Sequence, residues 1–233
     1  TAFTLGDSGD TFTIPSGVTL TNNGSSSGFD SGLASVQIFT SSGTWTKPSG
    51  VTKINITVIG GGGGGGGGHP TASHAAYGGQ SGGTALKFAY DVSSKSTATI
   101  TVGAAGAGGP YTGNTDSPGT IGGNSSYADG TLTMTGTGGG PGHSSGTAFV
   151  PQATASSGGD LNLTGQYPNI NLSIQYDGAG GGSAYLFGGG GQSVQNGNGN
   201  PASSYGGGGG GAGNKNDAGG AGFVGIVIIE EYK

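Results

Sequence analysis

Three histidines, His69, His74 and His143, are the residues best suited to hold a transition metal. Their spacing does not match any metal-site pattern. There is no H-E-x-x-H, and no carboxylate lies near His69 or His74 in the sequence. Loop histidines facing solvent or a partner are the expectation, so no metal and no cofactor is assigned. The adjacent acids Glu230 and Glu231 follow an apolar strand, where edge solubility is the simplest role. No carboxylate pair suited to glycoside cleavage is a candidate in the distal half. G-x-S-x-G occurs at Gly79–Gly83 and at Gly142–Gly146. With 60 glycines in 233 residues, such matches arise by chance. The same holds for G-x-G-x-x-G after Ile59, where His69-Pro70 follows instead of a helix. The chain reads as a protein without catalytic function.

Binding chemistry is better represented. Tyr77, Tyr111, Phe149, Tyr167, Tyr176 and Tyr205 stand among Ser, Gly, Asn and Gln. That mixture supplies rigid aromatic contact area beside adaptable hydrogen bonding. Together with His69, His74, His143 and Asn198 they form the candidate contact set. Tyr185 and Phe187 are read as packing, and Trp45, Phe39, Phe88 and Phe223 as core.

Composition limits what positions these residues. Charged residues make up 7% of the chain, against about 25% in ordinary domains. The six basic residues are all lysine and the net charge is −5, which argues against nucleic-acid binding. Without cysteine there are no disulfides or thiolate sites. No apolar run is long enough to span a membrane as a helix. Thr1 and the lack of a signal peptide predict a piece of a longer chain.

The chain opens with a repeated motif. Thr11-Phe12-Thr13-Ile14-Pro15-Ser16-Gly17-Val18-Thr19 returns as Thr44-Trp45-Thr46-Lys47-Pro48-Ser49-Gly50-Val51-Thr52. Each copy reads as strand, tight turn, strand. Residues 1–59 hold 8 of the glycines and residues 60–233 hold 52. A β connector over residues 1–34 and a glycine-rich domain over 35–233 follow from this shift. Alternation predicts strands at Ile54–Val58, Leu86–Tyr90, Ala98–Val102 and Leu132–Met134, and a buried central strand over Phe223–Ile229. No helical period is present. Thr97, Thr99, Thr101 and Thr131, Thr133, Thr135 form ladders suggestive of an ice-binding face, although exposed β-branched residues are the plainer reading.

Glycine loses about 0.5–1 kcal/mol more conformational free energy on ordering than alanine. Ordering 60 of them opposes folding by on the order of 30–60 kcal/mol and demands dense backbone hydrogen bonding. Strict Gly-X-Y, the collagen pattern, is missing. The remaining ordered option is a bundle of extended polyglycine helices with three residues per turn, in which residues 60–68 would reach roughly 28 Å. The runs leave or enter strands so that antiparallel order collects them at one end of the sheets. The short turns and Lys233 fall at the other end. The expected fold is all-β: a small antiparallel sandwich carrying polyglycine II segments and glycine-rich loops at a distal end.

The stretch from Phe39-Thr40-Ser41-Ser42-Gly43-Thr44-Trp45 through Pro48-Ser49-Gly50-Val51 to Ile59 and the glycine run resembles the glycine-rich C-terminal domains of bacteriophage tail fibres. The closing Ala221-Gly222-Phe223-Val224-Gly225-Ile226-Val227-Ile228-Ile229-Glu230 and the internal Asp160-Leu161-Asn162-Leu163-Thr164-Gly165 are similar to that family too. The resemblance covers residues 36–233 and extends to the polyglycine tip adhesins of T-even-like phages. It implies a receptor-binding tip at the end of a virion tail fibre. Distal loops near 69–80, 110–118, 141–157, 166–177 and 192–205 would meet a host surface receptor, either a glycan or an outer-membrane protein. It also implies attachment to the rest of the fibre and a homotrimer. The alternative expectation is a secreted glycine-rich structural or ice-binding protein.

Overall fold

The computed structural model describes residues 16–17, 32–68, 76–111, 117–144, 155–168, 181–182, 184–192, 194, 196–214 and 216–233. The chain separates into a short unit, Thr1–Ser31, and a large one, Gly32–Lys233. In the short unit Ser16 and Gly17 form a turn in which Gly17 has φ +89°. The second copy of the motif repeats that turn. Gly50 has φ +80°, and the Val51 N–H donates to the Pro48 carbonyl at 3.3 Å. This is the position at which a type II turn requires glycine.

Among its described residues the large unit contains nine strands and no α-helix. β1 (Leu33–Phe39), β9 (Ile226–Tyr232), β3 (Lys53–Ile59), β4 (Thr84–Asp91) and β8 (Leu161–Leu163) form one sheet in that order. β2 (Gly43–Thr46), β5 (Thr97–Thr101), β6 (Ser125–Ala128) and β7 (Thr133–Gly136) form the other. Every pairing is antiparallel. Strand alternation sends one face of each sheet inward. Ile54, Ile56, Val58, Ala85, Val227 and Ile229 of the first sheet meet Trp45, Ala98, Ile100, Tyr127 and Met134 of the second. Each large apolar side chain so buried contributes about 1.5–3 kcal/mol.

Three strand expectations change. β9 starts at Ile226, because Gly222, Phe223 and Gly225 donate to glycine-segment carbonyls at Gly106, Gly207 and Gly103 rather than joining the sheet. Leu86, Phe88 and Tyr90 do not share a face. A register shift lies opposite Ile54/Ile56, and Ala89 takes φ +48°. Tyr90 therefore packs on the core while Phe88 is 54% exposed. Glu231 is not an edge residue. It is fully buried on an interior strand, where its carboxylate accepts from Trp45 Nε1 at 2.7 Å, from Gln37 Nε2 at 2.7 Å and from the Ser35 hydroxyl. Three donors replace the water lost on burial and tie β1, β9 and β2 together.

Candidate functional site

β3 runs directly into residues 60–68, and these hold the glycine region together. Each N–H from Gly60 to Gly68 donates to a neighbouring segment at 2.8–3.0 Å. The acceptors rotate with a period of three. Gly60, Gly63 and Gly66 use Gly83, Gln80 and Tyr77. Gly61, Gly64 and Gly67 use Gly123, Thr120 and Ser117. Gly62, Gly65 and Gly68 use Phe223, Gly220 and Asp217. In each series the partner number falls by three as the central number rises, so these three neighbours are antiparallel.

The carbonyls follow the same rule. Gly61 and Gly64 accept from Gly139 and Gly142, Gly62 and Gly65 from Gly106 and Gly109, and Gly63 and Gly66 from Gly209 and Ala212. These three neighbours are parallel. A threefold hydrogen-bond period with bonds only to neighbours is the signature of the extended polyglycine helix. The six neighbours also bond to one another around the ring, in the order 103–109, 117–123, 137–143, 77–83, 206–212, 217–223 and back to 103–109, with direction alternating at each step.

Glycine is required here because of proximity. None of Gly60–Gly68 has a positive φ. A Cβ at Gly60 through Gly67 would lie 1.8–2.5 Å from a neighbour's backbone. The outer segments need glycine where they meet the central segment or a ring neighbour: a Cβ at Gly106 would lie 2.2 Å from Thr120 O and one at Gly108 1.9 Å from Gly219 O. Gly103, Gly106 and Gly109 are buried, while Ala104 and Ala107 point to solvent.

All seven segments project from the same end of the sandwich. β3, β5 and β7 run out into glycine segments, and β4, β6 and β9 are entered from them. The opposite, plain end holds the 47–52, 92–96 and 129–132 turns, and there Lys233 donates to Gly32 at 3.3 Å. The chain thus enters the large unit at the plain end. The β1–β2 turn is a short connection at the glycine end, where Ser42 Oγ accepts from Val102 N at 3.0 Å.

The far ends of the segments lie level with one another. Gly67 and Gly68 bond to Ser117 and Asp217, Ala76 to Ala212, Tyr77 to His143, and Gly213 to Gly197. Ser117 N donates to the buried Ser144 Oγ at 2.7 Å. This pole gathers Tyr77, Tyr111, His143 and Asn198 from four segments. Tyr111 is 44% exposed, and Tyr77 and His143 are half-buried. Asn198 is exposed, with its Oδ1 accepting from Ala218 N at 2.8 Å. His69, His74, Phe149 and Tyr176 lie outside the described residues.

Two aromatics are elsewhere. Tyr167 is 52% exposed on the flank, one residue past Gln166, which pairs with Ser81. Tyr205 is at the junction of strands and glycine segments. The 203–206 turn brings it back to the sheets, and its ring meets Phe187 at 5.7 Å and Phe223 at 5.4 Å, both edge-on. It packs there on Ile59 and Ile226, so its energetic role is burial. Tyr185 is 53% exposed near the same junction. Thr97, Thr99, Thr101, Thr133 and Thr135 lie on the outer face of the second sheet, beside Thr44 and Thr46, while Thr131 lies in the 129–132 turn.

A family model described as a glycine-rich domain matches residues 38–232. The chain belongs to this glycine-rich domain family. No curated protein matches the sequence.

Among the described residues of this glycine-rich domain, the charged side chains cluster on the strand framework. Lys87 pairs with Asp160 at 2.6 Å and Lys95 approaches Asp129 at 3.6 Å. Asp129 has a fully buried side chain at the plain end. Burial pushes its carboxyl upward, but the N–H groups of Leu132 and Thr131, the Tyr90 hydroxyl and Lys95 outweigh this and hold it below the usual range. Tyr90 is pushed up to about 12, first by burial and then by its hydrogen bond to Asp129. Among the described residues, the glycine pole offers aromatic rings, amides, hydroxyls and backbone groups, with His143 and Asp217 as its ionisable side chains. Sequence reading missed Ser117, Ser144 and Asp217 as closing residues of the pole. Their one signal is a non-glycine residue at the end of a glycine run.

Proposed function

We propose that the glycine-rich domain is the receptor-binding tip of a bacteriophage tail fibre, a non-enzymatic adhesin that attaches the virion to a host cell-surface receptor. The observation that carries this reading is the polarity of the domain. The chain enters at the plain end, while six segments packed around a central seventh reach to the opposite pole. Such a scaffold fixes contact residues before binding and lowers the entropy cost of association. Tyr and His beside Ser and Asn is the composition that binding surfaces favour. The motifs shared with tail-fibre domains supply the biological setting, the trimeric fibre included. An ice-binding reading draws on the exposed threonines of the second sheet, but the twist of a four-stranded sheet works against the flat face it needs.

Competition for adsorption tests the proposal. Purified chain at saturating concentration is expected to slow attachment of the phage that carries it to its own host. Tyr111→Ala is expected to weaken that competition by about tenfold, as loss of an aromatic anchor does, with the unfolding temperature unchanged. Unaltered adsorption in the presence of saturating wild-type chain would overturn the reading.

A further inference from the structure

Two Asn-Gly pairs follow one another near the pole, Asn196-Gly197 and Asn198-Gly199. An Asn-Gly pair has an intrinsic reaction. The backbone nitrogen of the glycine attacks the asparagine Cγ, the side-chain amide leaves as ammonia, and a succinimide ring forms. Water then opens the ring to aspartate or isoaspartate. Glycine favours the attack because it has no Cβ to crowd it. The reaction needs a glycine nitrogen and an asparagine amide released from hydrogen bonds, and a backbone able to rearrange.

The two pairs differ on each count. Asn198 Oδ1 accepts from Ala218 N at 2.8 Å, and Gly199 N donates to Ala218 O at 2.9 Å. Both reacting groups are thus held by one residue of the ring. The Gly199 backbone is also packed so closely that a Cβ would lie 2.0 Å from Gly210 O. Asn196 is exposed, at the turn before the segment, with φ +52°. Among the described residues neither its side chain nor the Gly197 N–H has a hydrogen-bond partner. The backbone tie at this point is Gly213 N to Gly197 O, at 3.0 Å, which leaves the attacking nitrogen untouched.

We infer that Asn196 is a site of spontaneous deamidation, and that packing into the glycine bundle protects Asn198 from the same reaction. The product places a carboxylate, and for isoaspartate one extra backbone methylene, beside a pole whose described residues carry few charges. The surface then ages in one defined place. This inference does not depend on what the pole binds.

The test incubates the whole folded chain in mildly alkaline buffer at physiological temperature. Peptide mass spectrometry follows both asparagines, with the urea-unfolded chain as reference. Asn196 is expected to convert at a rate close to its unfolded value. Asn198 is expected to convert about tenfold or more slowly than when unfolded, because its segment must first open. Gly197→Ala is expected to suppress conversion at Asn196. The added Cβ meets the Val194 Cγ1 methyl at 3.1 Å, so the variant should fold. An intact Asn196 after the unfolded chain has fully reacted would overturn the inference, and so would Asn196 and Asn198 converting in step. Continued rapid conversion in Gly197→Ala would count against it equally.

Discussion

At the residue scale the charged groups among the described residues lie mostly on the framework, with Asp217 at the glycine pole. Asp129 shows how closely such a group is held. Its carboxylate serves two backbone N–H groups and the Tyr90 hydroxyl within one turn. The contact gives stability a dependence on pH at both extremes. Asp129 has a lowered pKa in the fold, so its contribution is present above the unfolded value of about 3.9 and is lost as pH falls through the folded one. Tyr90 is raised, so its contribution is complete below about 10 and is lost as pH climbs through about 12. Asp129→Asn is expected to bring the Tyr90 ionisation back toward its ordinary range, measured by ultraviolet titration of tyrosinate. A Tyr90 titration unmoved by that substitution would contradict the assignment.

At the element scale the strands and glycine segments obey different rules. A strand accepts any side chain that suits its face, because neighbouring backbones in a sheet stay about 4.8 Å apart. A segment inside the glycine bundle accepts only hydrogen at each Cα that meets a neighbour. A Cβ at Gly64 would lie 1.8 Å from the Ala107 carbonyl. Both partners are backbone, so no rotamer relieves the clash. Gly64→Ala is expected to cost about 1–3 kcal/mol or more as overpacking, read as a lower urea midpoint. Ala107→Gly, on the exposed side of the same contact, is expected to cost no more than about 1 kcal/mol, from unfolded-chain entropy. Equal effects of the two substitutions would mean that the packing argument is wrong.

At the scale of the whole domain, a modest apolar core supports a larger body held by backbone hydrogen bonds. Among the described residues the apolar clusters are the sandwich core and a small one at the junction around Ile59, Ala184 and Ile226. Beyond them, order depends on the ring closing around residues 60–68. Because that segment is enclosed by all six neighbours, its amides are expected to exchange with solvent as slowly as those of β3. The Ala104 amide, exposed and without a partner among the described residues, is expected to exchange fast. Rapid exchange at Gly63–Gly66 would remove the mechanical basis for a rigid pole, and with it the support for the adhesin reading.

Much of this architecture is readable along the chain. Alternation in Lys53–Ile59 and Thr97–Thr101 marks strands, and the places where glycine runs leave and enter them set the polarity of the domain. Other features were decided by the tertiary structure alone. A glycine has no side chain to specify its neighbour, so nothing in residues 60–68 says that Gly64 pairs with Thr120 and Gly65 with Gly220. The order of the ring comes from closure of the whole bundle. The separate fates of Tyr111 at the pole and Tyr205 at the junction have the same origin, because identical side chains in similar glycine-rich contexts differ only in the height at which the packed chain turns back. Glu231 makes the point for the core. An acid at the end of an apolar strand looks exposed until the folded sheets bring Ser35, Gln37 and Trp45, distant in sequence, to surround it.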